Sequence, residues 1–212
     1  VGRNYVSDCK GRGIWHTTGT GFGIVMAGFP GWTEICHNRS ENNGGEGIAV
    51  GDPSIGGTTP TYRVRVNNND VGDSSTDAAV RFTTHQYYIV GEQIETSLNV
   101  ANANSPGMYV AGRQQKHTNN RFVGTNGPAY TVGAITGYTT VGISIDDFRV
   151  SGPASSLNPA VVIDATLTAA SEVRVRQSSS VNITKLVADA DRAKYASIQY
   201  AGATNFAALA AG

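Results

Sequence analysis

The chain has 212 residues with 16 basic and 16 acidic side chains, so it sets up no long-range field that would favour nucleic acid or an anionic membrane surface. No run of about 18 apolar residues is present, which argues against a membrane-spanning helix. The two cysteines, Cys9 and Cys36, are too few for a disulfide framework and fit no zinc spacing, so they read as buried free thiols and no metal is expected. Valine (21) and isoleucine (13) greatly outnumber leucine (5). Branching at Cβ suits a pleated sheet and loses rotamer freedom in a helix, so the chain reads as mostly strand.

The chain opens on Val1 with no basic-then-apolar leader, which reads as a processed chain or a fragment. Residues 6–15, VSDCKGRGIW, hold a Ser-acid-x-x-Gly-x-Gly-Ile pattern that recurs in residues 39–49, RSENNGGEGIA, with one extra glycine. Aligned this way, Asp8 matches Glu41, Arg12 matches Glu46, and Ile14 matches Ile48. A third Gly-x-Gly-Ile, Gly21 to Ile24, lies between the copies, and residues 28–32, GFPGW, read as a loop that exposes Trp32. In the second copy the Asn-Gly run turns a corner, Glu46 points outward, and Ile48 and Val50 point inward on a period of two.

Further along, residues 62–66 alternate cleanly as a half-buried strand does, and residues 67–70, NNND, form a turn. That turn resembles a calcium loop only superficially, because aligning its glycine puts Val71 on a ligand position. Asn-rich turns then precede short apolar strands at residues 108–110, 129–132 and 161–163, and residues 172–176 alternate again. From about Leu186 the sequence becomes alanine-rich, as expected of a cap or an oligomerisation segment covering an open sheet edge.

Polar turns and short strands recurring every 20 to 35 residues are what stacked supersecondary units produce. The expected architecture is all-β, a right-handed parallel β-helix over residues 1–185 followed by the segment 186–212. Asparagine would ladder from one coil to the next at the corners. A β-sandwich of antiparallel strands is the alternative.

Chemistry-bearing motifs are few. The sequence has no P-loop, HExxH or Gly-x-Ser-x-Gly element, and no cofactor is expected. His16, His37, His85 and His117 are scattered without ligand spacing and read as surface or satisfied core residues. Glycoside hydrolysis needs two carboxylates at a set separation, and Asp8, Glu41 and Glu34 are the candidates, with Glu46 and Asp52 nearby. Stacked ion pairs explain the same acids with no chemistry at all. Trp32, Trp15 and Tyr109 are the candidate platforms for the apolar face of a sugar.

Residues 39–50, RSENNGGEGIAV, resemble coils of the pectate-lyase-like superfamily, and the Asn/Gly/Ser/Thr-rich texture of about residues 1–165 is similar to that of bacteriophage tailspikes. The resemblance implies a homotrimeric virion or extracellular protein, assembled with other virion proteins. Such proteins bind, and often cleave or deacetylate, bacterial surface polysaccharide. A purely structural virion component and a secreted polysaccharide lyase are the alternatives. Neither nucleic acid nor membrane insertion is expected.

Overall fold

The computed structural model describes residues 5–7, 14–17, 24–25, 33–41, 46–51, 62–72, 85–102, 106–124, 127–134, 139–151 and 160–181. Within them the protein is all-β, with 17 strands and a single 3-10 turn at Ala169–Ser171. Every strand register is parallel. The antiparallel hairpins that a sandwich is built from are not found among the described residues.

The registers sort the strands into three rows, which the chain visits in turn. Row 1 stacks Thr33–Cys36, Val64–Asn67 and Glu95–Ser97, followed by parts of Met108–Thr118, Val141–Ser151 and Val173–Val181. Row 2 stacks Tyr5–Ser7, Arg39–Glu41, Asp70–Gly72, Val100–Asn102 and Arg121–Val123, then the later parts of the two long strands. Row 3 stacks Ile14–Thr17, Ile48–Val50, Tyr87–Glu92, the start of Met108–Thr118, Tyr130–Val132 and Val161–Ile163.

Ile14 lies in register with Ile48, so the two sequence copies are direct neighbours. The intervening Ile24–Val25 strand pairs with Ile14–Thr17 at His16 and Thr17 and does not form a layer between the copies.

Alternation on a period of two sends Ile35, Val66, Ile145 and Val175 of row 1 into the core. Row 2 contributes Val71, Ala101, Phe122 and Val150, and row 3 contributes Ile48, Tyr87, Met108, Tyr130 and Val161. Ile48 and Val50 are buried as the alternation requires. Ala49 is buried too, so the outward side of that strand is covered as well.

The corner between rows 1 and 2 is made the same way in each circuit. One residue adopts the left-handed conformation: His37, Asn68, Leu98, Asn119 and Asp147, with φ between 52° and 56°. That twist turns the next side chain inward, and in four circuits it is asparagine: Asn38, Asn69, Asn99 and Asn120, all buried. The carboxamide oxygens of Asn69, Asn99 and Asn120 each accept from the backbone N–H and the Nδ2 of the ladder asparagine before them. The Nδ2 distances are 2.9 Å (Asn38 to Asn69), 2.9 Å (Asn69 to Asn99) and 3.0 Å (Asn99 to Asn120). The links span 31, 30 and 21 residues, so the ladder absorbs circuits of unequal length. In the fifth circuit Phe148 follows the left-handed Asp147, and its ring packs at 82° to Tyr130 with centroids 5.3 Å apart. There the ladder gives way to aromatic packing. A second left-handed column, Arg63, Gln93, Gln114, Gly142 and Glu172, precedes row 1.

Residues 38–40, Asn-Arg-Ser, match the Asn-x-Ser pattern of an N-glycosylation site, but Asn38 is a buried ladder residue, inaccessible to a glycan in the folded chain. The alanine-rich segment 186–212 lies outside the described residues.

Candidate functional site

Row 1 presents two outward columns. One runs Glu34, Arg65, Glu95, Lys116, Ser144, Arg174, and the other runs Cys36, Asn67, Ser97, Thr118, Asp146, Arg176. Between the columns an open groove of about 260 Å³ is lined by Glu34, Arg65, Asn67, Glu95, Lys116 and Thr118, among others. Its side chains hold one another in place. Asn67 Nδ2 donates to Glu34 Oε1 at 3.1 Å, Ser97 Oγ donates to Asn67 Oδ1 at 2.9 Å, and Arg65 Nε meets Glu95 Oε2 at 3.1 Å. Arg65 and Glu95 are about equally exposed (45% and 44%), so this pair contributes little to stability, but it orients both groups over the groove. The groove thus offers carboxylates, amides, hydroxyls and cations on a rigid sheet with a strand spacing of about 4.8 Å.

Behind the groove lies a buried polar network. His117 Nδ1 accepts from Thr96 Oγ1 at 2.9 Å, and its Nε2 donates to Gln115 Oε1 at 3.1 Å. This assignment follows from the partners, because an amide oxygen can only accept. Thr96 Oγ1 in turn accepts from Asn120 Nδ2 at 2.9 Å, and the same amide donates to Tyr130 OH at 2.9 Å. Burial lowers the His117 pKa to about 3, so the ring is neutral. It is a satisfied core histidine that joins the asparagine ladder to the groove floor. From sequence it reads as either a surface or a satisfied core residue, because there it is one polar residue among Gln114, Gln115 and Lys116.

Row 3 carries the aromatics. Tyr88 and Tyr109 lie in register and stack with centroids 5.1 Å apart and an interplanar angle of 6°. His85 meets Tyr109 edge-on at 5.3 Å, and its Nε2 lies 2.9 Å from Thr131 Oγ1. Burial lowers the His85 pKa to about 4. Burial, and then the Asp164 carboxylate, raise the pKa of the Tyr109 phenol. Trp15 occupies the same register column, one strand beyond Ala49.

Of the six residues singled out in the sequence, the four that are described lie on three different rows. Glu34 lines the row 1 groove. Glu41 sits on row 2, where Arg39 Nη2 meets Glu41 Oε1 at 2.6 Å and the acid lies next to Gly72 of the adjacent strand. Trp15 and Tyr109 share row 3, while Asp8 and Trp32 lie outside the described residues. The register also corrects the alignment of the two copies. Ser7, not Asp8, lies opposite Glu41, and the strands match without the extra glycine. Glu34 and Glu41 are separated by the His37–Asn38 corner, so they face outward from different rows. The partner that row 1 does supply for Glu34 is Glu95, two strands away across Arg65.

Among the described residues, no group of three or more His, Cys, Asp or Glu side chains is placed to hold a metal ion. No helix among them is long and apolar enough to cross a membrane. Neither a family model nor a curated protein nor a solved structure matches the chain.

Proposed function

We propose that the chain is a right-handed parallel β-helix from a tailspike-like virion protein that binds bacterial surface polysaccharide. It would act at the virion surface or outside the cell, as a homotrimer alongside other virion proteins. The row 1 groove is the observation that carries this reading. Its hydrogen-bonding side chains repeat at about 4.8 Å on an inflexible sheet, a spacing comparable to the length of a pyranose ring. They are also pre-oriented by one another, which lowers the ordering cost of binding. Outward tyrosines on row 3 add a stacking surface of the kind sugars use.

Cleavage, if present, would use Glu34 and Glu95. Two strand spacings put them about 9 to 10 Å apart, at or just past the upper end of the separation that leaves room for a water in an inverting reaction. A structural virion component without a glycan site is the second reading, favoured by the ion pair and hydrogen bonds with which the groove satisfies itself.

The test is binding of purified host polysaccharides to the parent and to the Asn67→Ala, Thr118→Ala and Glu34→Gln variants. Each groove variant should weaken binding roughly 5- to 10-fold, the worth of one hydrogen bond. Reducing-end release by the parent but not by Glu34→Gln or Glu95→Gln would add depolymerase activity. Failure of every host polysaccharide to bind would leave the structural reading in place.

A further inference from the structure

Three of the described strand arginines are neutralised by a nearby acid: Arg39 by Glu41, Arg65 by Glu95 and Arg176 by Asp146. Arg113, Arg121, Arg149 and Arg174 have no such partner among the described residues, and two of these four are direct neighbours. Arg121 and Arg149 lie in register on adjacent parallel strands, both exposed, and neither makes an ion pair among the described residues. Their column neighbours are Val100 on one side and Ser179 on the other, and the parallel outward column holds Val123 and Ser151. Asp147, at the corner before Arg149, pairs with neither. Two like charges directly opposite each other on neighbouring strands disfavour the fold. A bound anion turns the same arrangement into a favourable one.

We infer that Arg121 and Arg149 form an oxyanion-binding site, and that the polysaccharide the protein takes is acidic. The two guanidinium groups start from Cα atoms about 4.8 Å apart. Each offers a planar fork of donors that fits a carboxylate, sulfate or phosphate edge. Arg121 belongs to the same circuit as Lys116 and Thr118, just past the Asn119 corner from the groove, so one glycan chain can reach both surfaces. This inference rests on the polysaccharide-binding reading and narrows it to a charged substrate class. It also explains how a chain with no net charge can select an anionic ligand, since selection needs only a local imbalance.

The experiment compares oligogalacturonate with the same oligomer fully methyl-esterified, which has the same sugar backbone and no charge. The parent should bind the free acid at least about tenfold more tightly. Arg121→Gln and Arg149→Gln should each remove most of that difference while leaving binding of the ester unchanged. Arg174→Gln removes another exposed charge, from row 1, and should leave the preference intact. Competition by inorganic sulfate and by phosphate then shows which oxyanion the pair prefers.

Equal affinity for acid and ester, or no binding of the acid, overturns the inference. So does an equal loss with Arg174→Gln, which would mean diffuse electrostatics. If host polysaccharides bind through the groove without any acid preference, the inference falls and the glycan reading stands. If sulfate binds at the arginine pair but no polysaccharide binds, the glycan reading falls and the acidic-saccharide assignment falls with it.

Discussion

Asn99 is the point at which to test the asparagine ladder, because it has a ladder partner on each side. Replacing it by alanine removes four hydrogen bonds. Asn99 Oδ1 no longer accepts from Asn69 N (3.1 Å) or Asn69 Nδ2 (2.9 Å). Its Nδ2 no longer reaches Val66 O (2.7 Å) or Asn120 Oδ1 (3.0 Å). The Asn99 backbone N–H keeps its bond to Asn120 Oδ1, so the break is confined to one rung. At about 1 kcal/mol net for each buried neutral bond the loss is about 4 kcal/mol, and more if the Asn69 backbone N–H stays buried without a partner. Domain stabilities are only about 5 to 15 kcal/mol, so the variant should sit at the edge of folding. The assay is equilibrium urea unfolding followed by far-ultraviolet circular dichroism, with Ser97→Ala as the control. Ser97 is in the same circuit and donates a single part-buried bond to Asn67, so its loss should cost about 1 kcal/mol. Asn99→Asp extends the test, since it keeps the shape but turns an oxygen toward Val66 O and Asn120 Oδ1. That carboxyl is compatible with the core only when protonated, so the variant should recover stability as the pH falls. If Asn99→Ala costs no more than Ser97→Ala, the ladder does not hold the corner.

Three further outcomes follow from the same structure. His117 and His85 have folded pKa values lowered to about 3 and about 4 from 6.5, so their contribution to stability is complete above pH 6.5 and is lost as the pH falls toward 4. Roughly 3 kcal/mol should disappear for each ring by pH 4, and neither ring should titrate near pH 6 by NMR. Leu98 is 54% exposed and holds φ 55°, between the corner residues Asn68 and Asn119. Leu98→Asn should therefore raise stability by about 1 kcal/mol and Tm by about 2 to 4 °C, and an unchanged or lowered Tm would contradict the strain argument. Gly112 has φ 119°, and a Cβ there would collide with the Gly91 carbonyl on the neighbouring strand. Gly112→Ala should cost more than about 3 kcal/mol, read as loss of soluble folded protein.

The sequence by itself determined the strand-rich class, through its Val and Ile content and through alternations such as Val64-Arg65-Val66, which the burial pattern repeats residue for residue. It also determined that residues 14 and 48 are equivalent, because a repeated apolar anchor after a glycine turn has few other ways to pack. Which asparagine does what was decided only in three dimensions. In the run Asn67-Asn68-Asn69, the first hydrogen-bonds in the outer groove, the second carries the left-handed turn and the third joins the buried ladder. A single left-handed residue rotates the next side chain inward, and nothing in three identical letters says where that residue falls. The same kind of turn separates Glu34 from Glu41, seven positions apart in sequence, and leaves Glu34 in one column with Glu95, two strands away across Arg65. Pairing between parallel strands depends on the register of whole circuits, whose lengths vary, so spacing along the chain could not fix it.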